Sequence, residues 1–294
     1  MTPLALAPVH VATPGGDLLV LALTLPVIGV LAILALAPRR ARQVALASMA
    51  AGLAVAIAIL AELLHTGDAL TYVVGGWQPP LGIALRADGL SAALIAMTAL
   101  VVCATGLFAR GMQDLSPETR NGRAATTFWA LLLATWSALN AVFLGEDLFN
   151  LYVALELLTF AAVPLVCLDG RAETMAAALR YLMFALLGSL LYLLGVGLIY
   201  GAFGTLDIRI LSGLSDGGPA LSVALALMIA GLLAKAALFP LHLWLPPAHA
   251  GAPAAASAAL SALVIKAPVF LILRLVLDVA PPEAAAFAGQ LLAV

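Results

Sequence analysis

Residues 235–275 read KAALFPLHLWLPPAHAGAPAAASAALSALVIKAPVFLILRL. They place two amines and five prolines inside sequence otherwise apolar enough for a membrane. Lys235 and Lys266 are the only lysines in the chain; the other eleven basic residues are arginines, ten of which fall in polar breaks between apolar stretches. An ammonium in hydrocarbon costs several kcal/mol unless it is paired, hydrated or neutral, so an intramembrane ionisable residue marks a functional site by default. Pro240, Pro246 and Pro247 each lack a backbone donor and crowd the preceding turn, so the helix carrying Lys235 must break or end here. Irregular backbone at membrane depth needs protein or water around it, and discontinuous helices commonly mark ion sites in transporters. Alternatively, the prolines only end the span at the inner surface. The local sequence leaves both readings open.

Working outward, the 294 residues are 64% hydrophobic and 10% charged, with a mean hydropathy of +1.15. Soluble domains carry about 25% charged residues, so the composition implies an all-α integral membrane protein. Stretches of about 20 apolar residues span the hydrocarbon as helices. Eight are legible: roughly 18–37, 43–63, 89–109, 124–144, 148–168, 175–202, 219–239 and 253–277. A ninth begins near Ala284, and the chain stops at Val294. The apolar runs are continuous and do not alternate, which excludes a β-barrel. No basic n-region or cleavage site precedes the first span, so no cleaved signal peptide is expected. The net charge of −2 argues against nucleic acid as a partner.

The breaks after spans one, three and five hold Arg39, Arg40, Arg42, Arg110, Arg120, Arg123, Arg171 and Arg180, whereas the opposite side holds only Arg86 and Arg209. By the positive-inside rule the N-terminus lies outside. The chain reads as one transmembrane domain, 1–294, with three N-terminal helices over 1–110 and most of the ionisable residues within the spans after them. Cys103 and Cys167 read as packing residues, and no metal or disulfide spacing is visible. His10 and His65 are assigned no role.

Glu156 sits mid-span in LYVALELLTF. It is either a protonated acid, or a carboxylate with a cation nearby. A carboxylate about 4 Å from an ammonium contributes about 4 kcal/mol at an effective dielectric near 20, and doubling the distance halves that. Small movements between Glu156 and Lys235 would therefore load or release a proton; the alternative is a static pair that fixes helix packing. Lys266 lies near the middle of span eight, where Pro268 can kink the helix. His242 and His249 flank the break and suit a proton wire, or else serve as hydrogen-bonded packing residues. Two histidines with no neighbouring carboxylate or cysteine do not make a metal site. Arg274 and Glu62, near span ends, read as snorkelling side chains. Glu146 and Asp147 read as a solvated outer cap, and Asp88 is undecided.

At this point the residues resemble a known family. Lys235, the run Phe239–Pro246, Ala248-His249, Ala252-Pro253, Ser257, Ser261, Lys266 and Arg274 match the signature of the antiporter-like subunits of respiratory complex I, Mrp-type sodium/proton antiporters and membrane-bound hydrogenases. DLFNLYVALELLTF is similar to the glutamate-bearing helix of that family, and GGWQPPLGIALRADGLSA to its outer loop. The resemblance implies two inverted five-helix repeats, each with a broken helix. Residues 124–278 would be the first repeat, and 279–294 would begin a ninth helix with the second repeat missing. It also implies that Glu156 tunes Lys235, and that Lys266 and His249 pass the proton on. Ala267-Pro268 depart from the small residue and glycine common after the second lysine.

The function classes that follow are a proton-translocating subunit of a multi-subunit membrane complex, an Mrp-type sodium/proton antiporter subunit, or a non-conducting structural membrane subunit. No nucleotide motif, cysteine cluster or nucleophile–base pair is present, so no cofactor and no catalytic residue is expected in the chain. Any redox activity would belong to redox partner subunits, as in an NADH:quinone oxidoreductase or hydrogenase complex.

Overall fold

The computed structural model describes residues 10–36, 38–114, 122–214 and 218–281; the expected start of a ninth helix lies outside them. Among the described residues, seven helices are long and apolar enough to cross a membrane. They are α1 (Asp17–Ala35), α2 (Ala41–Thr66), α3 (Gly89–Asp114), α4 (Arg123–Leu144), α5 (Leu148–Val166), α6 (Ala172–Phe203) and a last one, Ala254–Val279. Three shorter helices lie between α6 and that last span: α7 (Ile208–Leu214), the apolar 17-residue α8 (Pro219–Lys235) and α9 (Leu245–Gly251). The last span is therefore α10. The expected seventh span is thus real but shorter than its apolar run, because the helix stops at Lys235 and not at residue 239.

Bulky aliphatic side chains on every face make these helices, and small residues let them approach. Gly52 lies against the indole of Trp136, and a Cβ at this position would sit 2.2 Å from its ring. α6 and α8 meet still more closely: a Cβ at Gly231 would lie 2.2 Å from the Gly188 carbonyl oxygen, and one at Gly188 would lie 2.6 Å from that of Gly231. Small-residue seams of this kind drive helix association where lipid supplies no hydrophobic contrast. α4 is the most enclosed span. It packs on α1, α2 and α5, while α10 returns through the bundle beside α3, α4 and α8.

One departure from an all-helical chain is a two-stranded antiparallel hairpin in the loop between α2 and α3. Here β1 (Leu70–Val73) pairs with β2 (Ala84–Ala87) in the register Leu70↔Ala87 to Val73↔Ala84. The Gly/Pro-rich turn GGWQPPLG carries the chain between the strands. On the same side, Leu85 bridges to Gly145 and Asp147 to Asp207. This end therefore gathers the N-terminal segment, the hairpin, the α4–α5 turn and α7. The arginines Arg39, Arg40 and Arg171 mark the other end.

Candidate functional site: a buried Glu–Lys pair at a broken helix

Glu156 lies eight residues into α5, and Lys235 is the last residue of α8. Lys235 Nζ donates to Glu156 Oε1 at 3.2 Å and to Thr159 Oγ1 at 3.1 Å. Both side chains are withdrawn from the surface, Lys235 at 6% exposure and Glu156 at 13%. Ser189 Oγ donates to the same Glu156 oxygen. Thr159 donates its own proton to the Leu155 carbonyl at 2.9 Å, leaving its lone pairs free to accept from the amine. Ser189 and Thr159 are not evident from sequence, because a hydroxyl within an apolar helix usually satisfies itself on the preceding turn. Their one signal is the spacing Glu156–Thr159, which puts those two residues on one face of α5.

The break lies where Lys235 needs it. α8 ends there, Ala237 adopts a φ of 53°, and the chain runs irregularly to Trp244. A non-glycine residue with positive φ is uncommon, and such strained positions cluster at functional sites. Pro240 falls inside the break. Pro246 and Pro247 do not break anything: they open α9 at its first turn, where their missing donors are harmless. The expectation that all three prolines break one helix is corrected accordingly. Trp244 closes the gap, its Nε1 donating 3.0 Å to the Ala234 carbonyl and its ring stacked on Tyr181 at a centroid distance of 4.3 Å.

The other expected relay residues do not gather around this pair. His249, on α9, is half-buried and its Nδ1 lies 2.9 Å from Ser257 Oγ. A gap without room for a water, walled by Tyr181, Leu260 and Val264 among others, lies beside it. His242 sits in the break against Phe239, with its buried Nδ1 lacking a hydrogen-bond partner. Lys266 is about 18 Å along α10 from Ala254, at 1.5 Å per residue, but its side chain is exposed on the outer face of this chain. Within this chain, therefore, it is not buried as Lys235 is. Val264 and Pro268, on the opposite face, do reach the pair: they line a cavity of about 10 Å³ with Lys235, Thr159, Leu155 and Tyr181. That volume is at the threshold for one water. A π-helical turn, Leu260–Val264, precedes Pro268, which has no N–H to give the Val264 carbonyl.

At the N-terminal end of the bundle, Glu146 is 4% exposed and lies 3.7 Å from Arg86, so it is not a solvated cap. Asp147 does cap α5, accepting from the Asn150 N–H at 2.8 Å. Arg274 does not snorkel. It binds Asp88 at 2.6 Å, Asp278 and Ser91, and lies over the Phe270 ring. Asp88 is thereby decided as the anchor that ties the end of α10 to the start of α3. His10, given no role from sequence, is buried and pairs with Asp207 at 3.1 Å. The partners of Glu146 and His10, and Asp88 and Ser91 for Arg274, are far apart in sequence, and no local pattern announces them.

A family model described as NADH:quinone oxidoreductase/Mrp antiporter, TM, matches residues 145–294. The chain belongs to this antiporter family. An NADH-quinone oxidoreductase subunit of Desulforudis audaxviator, the one designated N, is 38% identical over 238 residues, covering 80% of this chain and 46% of the relative. A Na(+)/H(+) antiporter subunit of Bacillus subtilis is 32% identical over 221 residues, covering 74% and 43%. Among solved structures, a chain of the archaeal membrane-bound sulfane sulfur reductase superposes with a TM-score of 0.83 at 27% identity, covering 94% of this chain and 56% of that one. A chain of the Mrp complex from a Dietzia species gives 0.79 at 27% identity, covering 90% and 49%. The antiporter-family chain described here spans about half the length of the curated relatives it matches. The solved chains it resembles come from an archaeal respiratory membrane complex, an Mrp complex and respiratory complex I.

Proposed function

We propose that this chain is a proton-translocating, antiporter-like subunit of a multi-subunit complex in a bacterial or archaeal cytoplasmic membrane, with its N-terminus outside. The observation that carries the reading is the buried Lys235–Glu156 contact at the end of an interrupted helix, supported on both sides by hydroxyls. A proton held by Lys235 is stabilised while Glu156 stays at 3.2 Å and is released when the two separate, because the attraction falls with distance. The irregular segment after Lys235 gives α8 the freedom to make that movement. One water in the adjoining cavity, held by the Val264 carbonyl that Pro268 leaves without a helical donor, would take the proton from Lys235. Lys266, two residues on and outward-facing, is the next station, and His249 and His242 serve the arginine-rich end of the break. Redox subunits are the partners that would drive the cycle.

Lys235→Ala tests this in vesicles made from the native membrane. Coupled proton movement should be lost while the neighbouring subunits still co-purify with the variant. Full proton movement by Lys235→Ala sinks the proposal. If Glu156→Ala is also indistinguishable from wild type, the chain is a structural anchor. Proton flux that requires sodium and no redox substrate would instead make it an Mrp-type exchanger.

A further inference from the structure

The small cavity beside Lys235 and the gap beside His249 lie back to back. Tyr181 and Val264 line both, so one ring and one branched side chain form the wall between the amine and the histidine. Both are buried, Tyr181 at 3% exposure and Val264 at 5%. On the α6 side, the Tyr181 ring lies flat against Trp244, with the planes 7° apart at a centroid distance of 4.3 Å. On the α10 side, Val264 ends the π-helical turn Leu260–Val264, a wider turn than the α-helix makes and one frequent at functional sites. Beyond the wall, His249 meets Ser257 at 2.9 Å. The helix that carries it, α9, ends at Gly251, whose carbonyl accepts from Arg171 Nη2 at 3.4 Å. The gap therefore lies on the path from Lys235 to the arginine-rich end.

The ring that covers Tyr181 is tied to the amine. Trp244 Nε1 donates at 3.0 Å to the carbonyl of Ala234, the residue before Lys235, and Trp244 itself opens α9. A shift of the end of α8 that draws Lys235 off Glu156 therefore pulls the indole across Tyr181 and moves α9 with its histidine. Stacked rings attract only within a narrow range of offset and separation, so the same shift frees the Tyr181 ring. Resting on the proton exchange at Lys235 proposed above, we propose that Tyr181 is the gate between Lys235 and the arginine-rich end. It is shut while the Glu156 contact is made, and Trp244 opens it when the contact parts. Exchange between the amine and that end is then possible only in the parted state. In the paired state described here, the cavity at Lys235 is about 10 Å³ and the gap at His249 has no room for a water, as a shut gate requires.

The test reads water at the wall directly. Val264→Cys is introduced with Cys103 and Cys167 replaced by alanine, and the complex, purified from its native membrane in mild detergent, is treated with 2-aminoethyl methanethiosulfonate. Intact-mass spectra follow the labelling rate. With Tyr181 in place, labelling should be slow. Tyr181→Ala removes the ring and should speed it about tenfold, the order of what an aromatic stack contributes to keeping the wall closed. Tyr181→Phe keeps the ring and should label as slowly as the parent. If Tyr181→Ala does not assemble, Trp244→Phe serves in its place: the covering ring remains but loses its tie to Ala234, and labelling should rise about fivefold. An unchanged rate in Tyr181→Ala, or in Trp244→Phe where that variant is used, overturns the gate. So does a Tyr181→Phe protein that labels as fast as Tyr181→Ala, because the ring would then not be the barrier. Labelling reports water and not protons, so the two proposals fail separately. An unchanged rate alongside proton movement that Lys235→Ala still abolishes overturns the gate alone, whereas full proton movement by Lys235→Ala overturns the reading beneath it.

Discussion

Replacing Gly231 with alanine adds one methyl group at the point where α6 and α8 nearly touch. The new Cβ would lie 2.2 Å from the Gly188 carbonyl oxygen and 3.0 Å from the Tyr192 nitrogen. Non-bonded carbon makes favourable contact only beyond about 3.4 Å, so the two helices must part by about 1 Å. Neither neighbour is a side-chain tip that can swing away; both are backbone. Overpacking of this kind costs about 1–3 kcal/mol. Lys235 is one turn further along α8, so the same displacement is felt at its amine. At an effective dielectric near 20, lengthening the 3.2 Å contact with Glu156 by about 1 Å removes about 1 kcal/mol of attraction, roughly a fivefold change in any equilibrium that depends on it. Gly197 on α6 provides the control, because a Cβ there meets nothing within 4 Å. Gly197→Ala should stabilise the helix by about 0.5–1 kcal/mol, through the ordinary gain in helix propensity. Thermal unfolding of the purified variants in one detergent reads both signs. Gly231→Ala should melt below wild type and Gly197→Ala at or above it. A Gly231→Ala protein as stable as wild type would refute the claim that this seam sets the position of Lys235.

Other outcomes follow from the polar ends of the bundle. Burial opposes ionisation of Asp88, but the hydrogen bonds from Arg274 and from the Ser91 N–H, with the charges of Arg274 and Arg86, outweigh it and hold the carboxyl below its ordinary value. Its contribution to stability is therefore present above the ordinary carboxylate range and is lost as pH falls through the folded-state value. Asp88→Asn should cost about 1–2 kcal/mol at neutral pH, and the difference from wild type should vanish in acid when denaturant unfolding is followed across pH. Glu146 behaves oppositely: burial pushes its carboxyl up despite Arg86 and Arg274. Its ionisation lowers stability as pH rises from the ordinary value through the folded one, so Glu146→Gln should gain on wild type over that window. A parallel pH dependence in the two variants would contradict this assignment. Trp244→Phe removes the indole donor to the Ala234 carbonyl and should cost about 1 kcal/mol; an unchanged melting midpoint would show that the indole does not anchor the break.

Much of the architecture was legible because a bilayer leaves a chain few choices. Apolar runs of membrane length predicted the crossings, and a glutamate and two lysines among them called for either neutral forms or partners, since a charge is not tolerated there unaccompanied. The prolines predicted an interruption but misplaced it. Proline marks where a helix cannot continue, yet α8 stops at Lys235, five residues before Pro240, and Pro246 and Pro247 lie in the first turn of the next helix. By sequence, Lys235 and Lys266 are equivalent amines in equivalent apolar surroundings. Only the rotation of α10 shows that, within this chain, Lys235 is enclosed and Lys266 lies at the surface. Glu146 and Arg274 were misread, and His10 was given no role, for a related reason. Their partners lie on other elements, and no local period encodes a contact between the start of α3 and the end of α10. Sequence by itself thus determined which segments cross the membrane and which residues cannot be there alone, because solvation in hydrocarbon is decided residue by residue. Tertiary structure decided who meets whom, because helix rotation and approach are set by where small side chains let backbones close, as Gly188 and Gly231 do beside Lys235.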